Sequence, residues 1–213
     1  MNLKTAITMA KELLTTKDET VNIHLSALKV LLSNVNQHID EHPLIIKARE
    51  FALTAHNVQK YSNIYPYYKH SEDVYLTLLK ADFDQSDKHD LPVLVASWLH
   101  DCLEDTNTSY SDIKREFEEE IAEIVYCVTD EVGRNRKERH QKTFPKLITN
   151  TKAVTLKVAD RLSNVKFGIK NQSPQFMMYK KEFTEFKECI EPYIKGVKTI
   201  TMWQELCELL NYD

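Results

Sequence analysis

The sequence predicts an all-α protein. Three observations carry that expectation. Only three glycines and six prolines occur in 213 residues, too few for a chain built from hairpin turns. Apolar residues recur three and four positions apart in one segment after another, the period of a buried helix face. No segment shows the sustained alternation of a half-buried strand.

The elements follow in order. Leu3, Ile7, Ala10, Leu13 and Leu14 keep helical spacing, as do Leu25, Leu28, Leu31, Leu32 and Val35. Residues 1–40 are therefore expected to form a helical extension of two helices, the second capped by Asp18 or Thr20. DEHP at 40–43 breaks the pattern, and residues 41–213 are expected to form one compact unit. A helix follows in LIIKAREFALTAHNVQ. Pro66 restricts Tyr65 and ends an irregular stretch. A second helix is expected over 69–81, then a polar loop, DQSDKHD, that ends near Pro92. Residues 92–104 are apolar on most sides, which predicts a buried helix. DTNTSYSD supplies Thr108 or Ser109 as the cap of a long amphipathic helix over 113–132. GRNRKERHQK is basic; 151–168 reads as a helix, and 175–211 as one or two more.

Composition excludes several functions. The chain is 42% hydrophobic and 28% charged with a formal net charge of −4, which is ordinary for a globular domain and unlike the basic footprint of a nucleic-acid binder. No apolar run of about 18 residues is present, so no membrane span is expected. The opening MNLKTAITMAKELL lacks a cleavage signal. Cys102, Cys127, Cys189 and Cys207 are widely spaced and read as free thiols, which points to the cytoplasm. Homo-oligomerisation is left open.

One segment does not fit a plain core helix. SWLHDCLEDT places His100, Asp101, Glu104 and Asp105 three and four apart, so the four make one polar strip at the end of a buried helix. Burying carboxylates without a counter-charge costs several kcal/mol, so a divalent cation is a natural partner. Imidazole nitrogen with carboxylate oxygen suits Mn, Fe or Zn better than Ca. Two other helices add members: His70 follows PYYK, and Asp160 sits within apolar LKVADRLSNV. His56 competes with His70 as the first ligand. His140 is isolated among basic residues and is expected to face solvent; His42 and His89 read as surface. Trp98, Phe183, Phe186 and Trp203 read as core.

These motifs resemble the HD-domain metal-dependent phosphohydrolases. HDCLEDT resembles the HDxxEDT signature of the RelA/SpoT-type alarmone hydrolases, PYYKH their PYxxH, and LKVADRLSNV their VKLADRLxNL, over roughly residues 48–170. The resemblance favours His70 over His56. It implies one divalent ion, typically Mn²⁺, held by His70, His100, Asp101 and Asp160. Glu104 and Asp105 match the pair that handles the attacking water, and Asn164 an asparagine that faces the nucleotide. Arg161 stands where the family has Arg or Lys. The branch usually carries a basic pair ahead of PYxxH; here Lys60 keeps one charge and Tyr61 stands near the second, a ring able to stack on a purine. Among the cations of the basic segment, Arg134, Lys137 and Lys142 are candidate phosphate contacts.

The reading is a stand-alone (p)ppGpp-like 3′-pyrophosphohydrolase with a phosphorylated nucleotide as its small-molecule partner. The rivals are an HD hydrolase of a deoxynucleotide or another nucleoside polyphosphate, an HD domain that binds nucleotide without turnover, and a helical scaffold.

Overall fold

In the computed structural model, residues 41–61 and 65–211 are described; the two helices expected within residues 1–40 lie outside them. Helix α1 spans Pro43–His56. Pro43 fits the first turn, where a missing N–H costs nothing, and His42 Nδ1 accepts a hydrogen bond from Leu44 N at 3.2 Å. The helix ends at Asn57, with φ of +39°, a conformation that asparagine tolerates.

The stretch between the first two helices contains a feature absent from the sequence expectation. Strands β1 (Lys60–Tyr61) and β2 (Tyr65–Pro66) pair antiparallel, with Tyr61 opposite Tyr65. Two residues per strand are too few to leave an alternating pattern, so periodicity could not find them. Helix α2 (Tyr68–Lys80) follows and buries Val74 and Leu78.

Helix α3 (Leu91–Leu99) is central to the unit formed by residues 42–213. Every residue from Pro92 to Leu99 is buried, and the helix packs against α1, α2 and two later helices. Its length departs from the expected 92–104: the regular helix stops at Leu99, and a single turn, α4 (Cys102–Asp105), restarts after His100 and Asp101. Helix α5 (Tyr110–Val128) starts at Ser109 in a capping box: Asp112 N donates to Ser109 Oγ at 3.2 Å, and Ser109 N donates to Asp112 Oδ2 at 3.0 Å. It is broken by a kink at Glu118, with φ of +71°, and ends four residues before the expected Val132.

The basic segment becomes helix α6 (Arg136–Leu147), capped by Asn135, whose Oδ1 accepts from Glu138 N at 3.0 Å. Helix α7 (Thr151–Lys170) runs against α2, α3 and α5. Helix α8 (Pro174–Ile190), a short 3₁₀ turn (Glu191–Tyr193) packed on it, and helix α9 (Val197–Asn211) follow, and both helices pack on α7. Gly168 permits the tight approach of α7 to α8: a Cβ there would stand 3.1 Å from the Phe176 Cβ and 3.2 Å from its backbone N. That approach brings the first turns of α8 over the site described next. Trp98, Phe117 and Phe186 are among the largest fully buried side chains of the core, and Phe183 and Trp203 pack beside Phe186. All four cysteines are free, as expected. No helix of the described residues is long and apolar enough to cross a membrane.

Candidate metal centre

Three segments converge on one point. His70 comes from the first turn of α2, His100 and Asp101 from the break between α3 and α4, and Asp160 from the middle of α7. His70 Nε2 lies 3.1 Å from His100 Nε2 and 3.2 Å from Asp160 Oδ1. Asp101 Oδ2 lies 3.1 Å from His100 Nε2 and 3.6 Å from His70 Nε2. His100 Nε2 and Asp160 Oδ1 are 3.9 Å apart. Both histidines are buried.

The donor set fits a divalent ion. Ligand atoms about 2.1 Å from a common ion stand roughly 3.0 to 3.4 Å apart at octahedral or tetrahedral angles, close to the separations here. The ligand atoms of His70, His100 and Asp160 all lie within 4.8 Å of one another. His100 Nδ1 donates to Ser97 O at 2.8 Å, which fixes the tautomer and leaves the Nε2 lone pair aimed inward. Tyr67 OH donates to Asp101 Oδ2 at 2.6 Å, and Asn164 Nδ2 donates to Asp160 Oδ1 at 2.6 Å. Nitrogen and carboxylate donors together match a transition metal better than calcium.

The electrostatics show how strongly these groups are coupled. Burial opposes charge on His100, yet the Asp101 and Asp160 carboxylates outweigh it and push its pKa up to about 9. Burial would also raise both carboxyls, but the two imidazoles, with Lys157 beside Asp160, hold them well below the usual carboxylate range.

The break after Leu99 divides the expected polar strip. His100 and Asp101 turn inward, whereas Glu104 and Asp105 ride on α4 nearer the surface. Glu104 still lines the cleft. Its Oε2 accepts from Asp130 N at 3.2 Å, and burial followed by the Asp130 and Asp101 charges raises its pKa. Asp105 Oδ2 accepts from Gln59 Nε2 at 3.4 Å, and Tyr67 lies against both Asp105 and Asp101.

The cleft above the cluster has a volume of about 300 Å³. Lys60, Tyr61 and Asn164 line it. Tyr61 stacks on the His70 ring with centroids 4.9 Å apart, and its hydroxyl donates to Asn164 Oδ1 at 2.8 Å, so the phenol ring is packed in the wall. Arg134, Lys137 and Lys142 are not brought there. Arg134 pairs with Glu138 at 2.9 Å, and Lys142 binds Glu138 and Val132 O, both at 2.9 Å.

The sequence reading missed other members of the lining. Arg136, part of the basic segment but not among its three candidate contacts, faces the cleft and makes a two-point contact with Glu182 at 2.7 and 3.0 Å. Arg161 lies 3.6 Å from the same carboxylate, its guanidinium 4.5 Å from the Tyr179 and Phe186 rings. Lys157 Nζ stands 3.6 Å from Asp160 Oδ2 and 3.7 Å from Asp130 Oδ1. His140 is buried rather than solvent-facing: it stacks on Phe144 and lines the cleft. Counting helical turns from the Asn135 cap puts Arg136, His140 and Phe144 on one face, a signal the sequence did hold. Asp130 Oδ1, whose charge faces Lys157, and Gln175 Oε1, both in the lining, are buried without a hydrogen-bond partner among the described residues. His56 is a satisfied core residue, with Gln59 Oε1 2.9 Å from its Nδ1 and Tyr67 stacked on its ring at 4.2 Å.

Comparison with known proteins agrees with this geometry. The HD domain family matches residues 48–185, a span that holds all four converging side chains. The chain belongs to the HD domain family.

Among relatives of this HD domain, a guanosine-3′,5′-bis(diphosphate) 3′-pyrophosphohydrolase of Aquifex aeolicus is 38% identical over 144 residues, covering 65% of this chain and 19% of that protein. The MESH1 enzyme of the same description from Xenopus tropicalis is 28% identical over 158 residues, 73% of this chain and 85% of that one. The match to the bifunctional (p)ppGpp synthase/hydrolase SpoT of Escherichia coli is 32% identical and covers 16% of that protein. The chain thus spans about a fifth of the length of the Aquifex relative. A solved structure of a metazoan ortholog of SpoT that hydrolyses ppGpp aligns with a TM-score of 0.60 at 21% identity, covering 78% of this chain and 95% of that one. A crystal structure from Listeria monocytogenes EGD-e aligns with a TM-score of 0.54 at 24% identity, covering 69% of this chain and 97% of that one. Both share the HD fold.

Proposed function

We propose that this HD domain is a metal-dependent phosphohydrolase of a phosphorylated nucleotide, a (p)ppGpp-like 3′-pyrophosphohydrolase of the cytoplasm. The observation that carries the proposal is the convergence of two imidazoles and two carboxylates at the base of a cleft whose other wall is cationic. His70, His100, Asp101 and Asp160 would hold one divalent ion, Mn²⁺ by the family resemblance. Such an ion lowers the pKa of water and neutralises a phosphoryl oxygen.

The chain's own groups supply the rest. Glu104, with its raised pKa, takes the proton from the attacking water. Asp105 shares Tyr67 with Asp101 and orients that side of the turn. Lys60, Arg136 and Lys157 are the cations nearest the phosphates, while Arg134, Lys137 and Lys142 contribute a diffuse field from outside the cleft. Asn164 positions the nucleoside. The relatives' names support this substrate, since the Aquifex and Xenopus proteins are described as 3′-pyrophosphohydrolases of guanosine bis(diphosphate).

A second reading has its own support. The Tyr61 hydroxyl already engages the Asn164 amide oxygen, and by the family resemblance Tyr61 stands near a position where the branch has a basic residue. A nucleotide with another base fits that arrangement as well.

Purified protein incubated with Mn²⁺ and a nucleotide panel, with phosphate and pyrophosphate both assayed, separates the readings. The expected result is pyrophosphate release from guanosine tetra- and pentaphosphate. Asp101→Ala should abolish turnover and metal content together. Glu104→Ala should keep the metal and lose about 10²- to 10⁴-fold in kcat. Normal turnover by Glu104→Ala removes its assigned role, and a metal-loaded protein inert to the whole panel removes the proposal.

A further inference from the structure

His56 is not a member of the metal cluster, yet the contacts of its buried ring lead back there. The ring stacks on Tyr67, with centroids 4.2 Å apart and planes 17° from parallel, and the Tyr67 hydroxyl donates to Asp101 Oδ2. Its Nδ1 lies 2.9 Å from Gln59 Oε1, and Gln59 Nε2 lies 3.4 Å from Asp105 Oδ2. Its Nε2 lies 3.7 Å from the Sγ of Cys102, the first residue of α4.

The backbone of Gln59 is pinned on both sides. Its N–H donates to His56 O at 2.8 Å, and its carbonyl accepts from Tyr67 N at 3.0 Å. Only the direction of the side-chain amide is open, and Asp105 decides it. An amide oxygen against a carboxylate oxygen repels, so Nε2 faces Asp105 and Oε1 faces His56. Oε1 has no proton to give, so His56 Nδ1 carries one and donates it. In the uncharged ring Nε2 is then the acceptor, and the Cys102 thiol is the donor beside it. The hydrogen bonds run one way, from Cys102 through His56 and Gln59 to Asp105.

Asp105 gains from such a partner. It ends a helical turn of four residues and is exposed, so its own element leaves its rotamer open. Tyr67 and Gln59 both approach it from the side of the cluster. We propose that His56 is a positioning residue for the hydrolytic step: through the Gln59 amide and the Tyr67 ring it keeps Asp105 turned toward the cluster rather than into solvent. The role rests on the hydrolase reading above and adds to it a residue outside the cleft. The last bond of the chain is long, so its loss costs a modest factor.

The test compares the parent, Gln59→Leu, His56→Leu, the double variant and His56→Asn for turnover of the nucleotide panel with Mn²⁺, with bound manganese measured on each. Gln59→Leu should lower kcat about three- to tenfold and leave KM and manganese content within about twofold of the parent, a split that a packing defect does not give. The double variant should fall no further than His56→Leu, because both residues act along one chain. His56→Asn keeps an amide N–H where Nδ1–H stood and should bring kcat back to within about threefold of the parent. Nitrogen-15 shifts of the His56 ring should place the proton on Nδ1. Parent kcat in Gln59→Leu, losses that add in the double variant, an asparagine variant no better than the leucine one, or a proton on Nε2 overturns the role and leaves the hydrolase reading standing. A parent chain that turns over nothing overturns both.

Discussion

At the scale of single residues, the cluster depends on groups that never touch the ion. Tyr67 is the clearest case. Its hydroxyl takes up one lone pair of Asp101 Oδ2 and fixes the carboxylate's direction. Removing that hydroxyl in Tyr67→Phe keeps the stack on His56 and lowers metal affinity by about tenfold or more, as outer partners of metal ligands generally do. Competition with a chelator measures it; an affinity equal to the parent's leaves Tyr67 with packing alone. The imidazole of His100 carries a second prediction. In chelated protein its pKa is raised, so its contribution to stability is complete below the unfolded value of about 6.5 and is lost as pH rises through about 9. The depressed Asp101 and Asp160 carboxyls act in the opposite sense, their contribution fading only in acid. The melting temperature of EDTA-treated protein should therefore fall between pH 7 and pH 10. Calorimetry across that range checks it, and a flat profile contradicts the assigned charge.

At the scale of the element, α6 shows what a sequence holds and what it withholds. Charge alone singles out Arg134, Lys137 and Lys142, which solvent and Glu138 occupy, and passes over Arg136 and His140, which the helix turns toward the cleft. The expected contrast is sharp. Arg136→Ala should raise KM about 10- to 100-fold, the effect of deleting a charge-assisted hydrogen bond of about 1.5–3 kcal/mol. Arg134→Ala should leave KM within twofold, and equal effects of the two would place the phosphates elsewhere. The metal motifs were legible because HD, PYxxH and the ADRLSN run each pair a chemistry-bearing residue with an apolar helical frame. The termination of α3 was not legible: residues 92–104 are apolar enough to read as continuous helix, and only tertiary packing decides where they turn. Gln175 and Tyr179 were invisible for a related reason. Nothing local to α8 announces that it roofs a site built from residues up to 119 positions earlier in the chain, and Lys60 is 115 positions before Gln175.

At the scale of the whole molecule, α8 and α9 serve both stability and binding. Phe186 is fully buried, near Trp203 on one side and the Arg161 guanidinium on another. Phe186→Ala should cost about 3–5 kcal/mol, a fall in Tm of roughly 10 °C for a protein of this size. Because the same ring supports Arg161, KM should worsen while metal content stays at the parent level. Loss of metal and of substrate affinity in equal measure would mean that the cleft and its floor do not separate. The pause between α3 and α4 has a wider consequence. Ser97 O receives the His100 imidazole where the regular helix stops at Leu99, short of the Asp101 N–H that a continuous helix would direct to the same oxygen. A homologue that kept every charged side chain but smoothed that interruption into regular coil-by-coil winding would align well and yet lose its grip on the metal, so an inventory of conserved letters is a weaker guide to a working member than the continuity of one backbone.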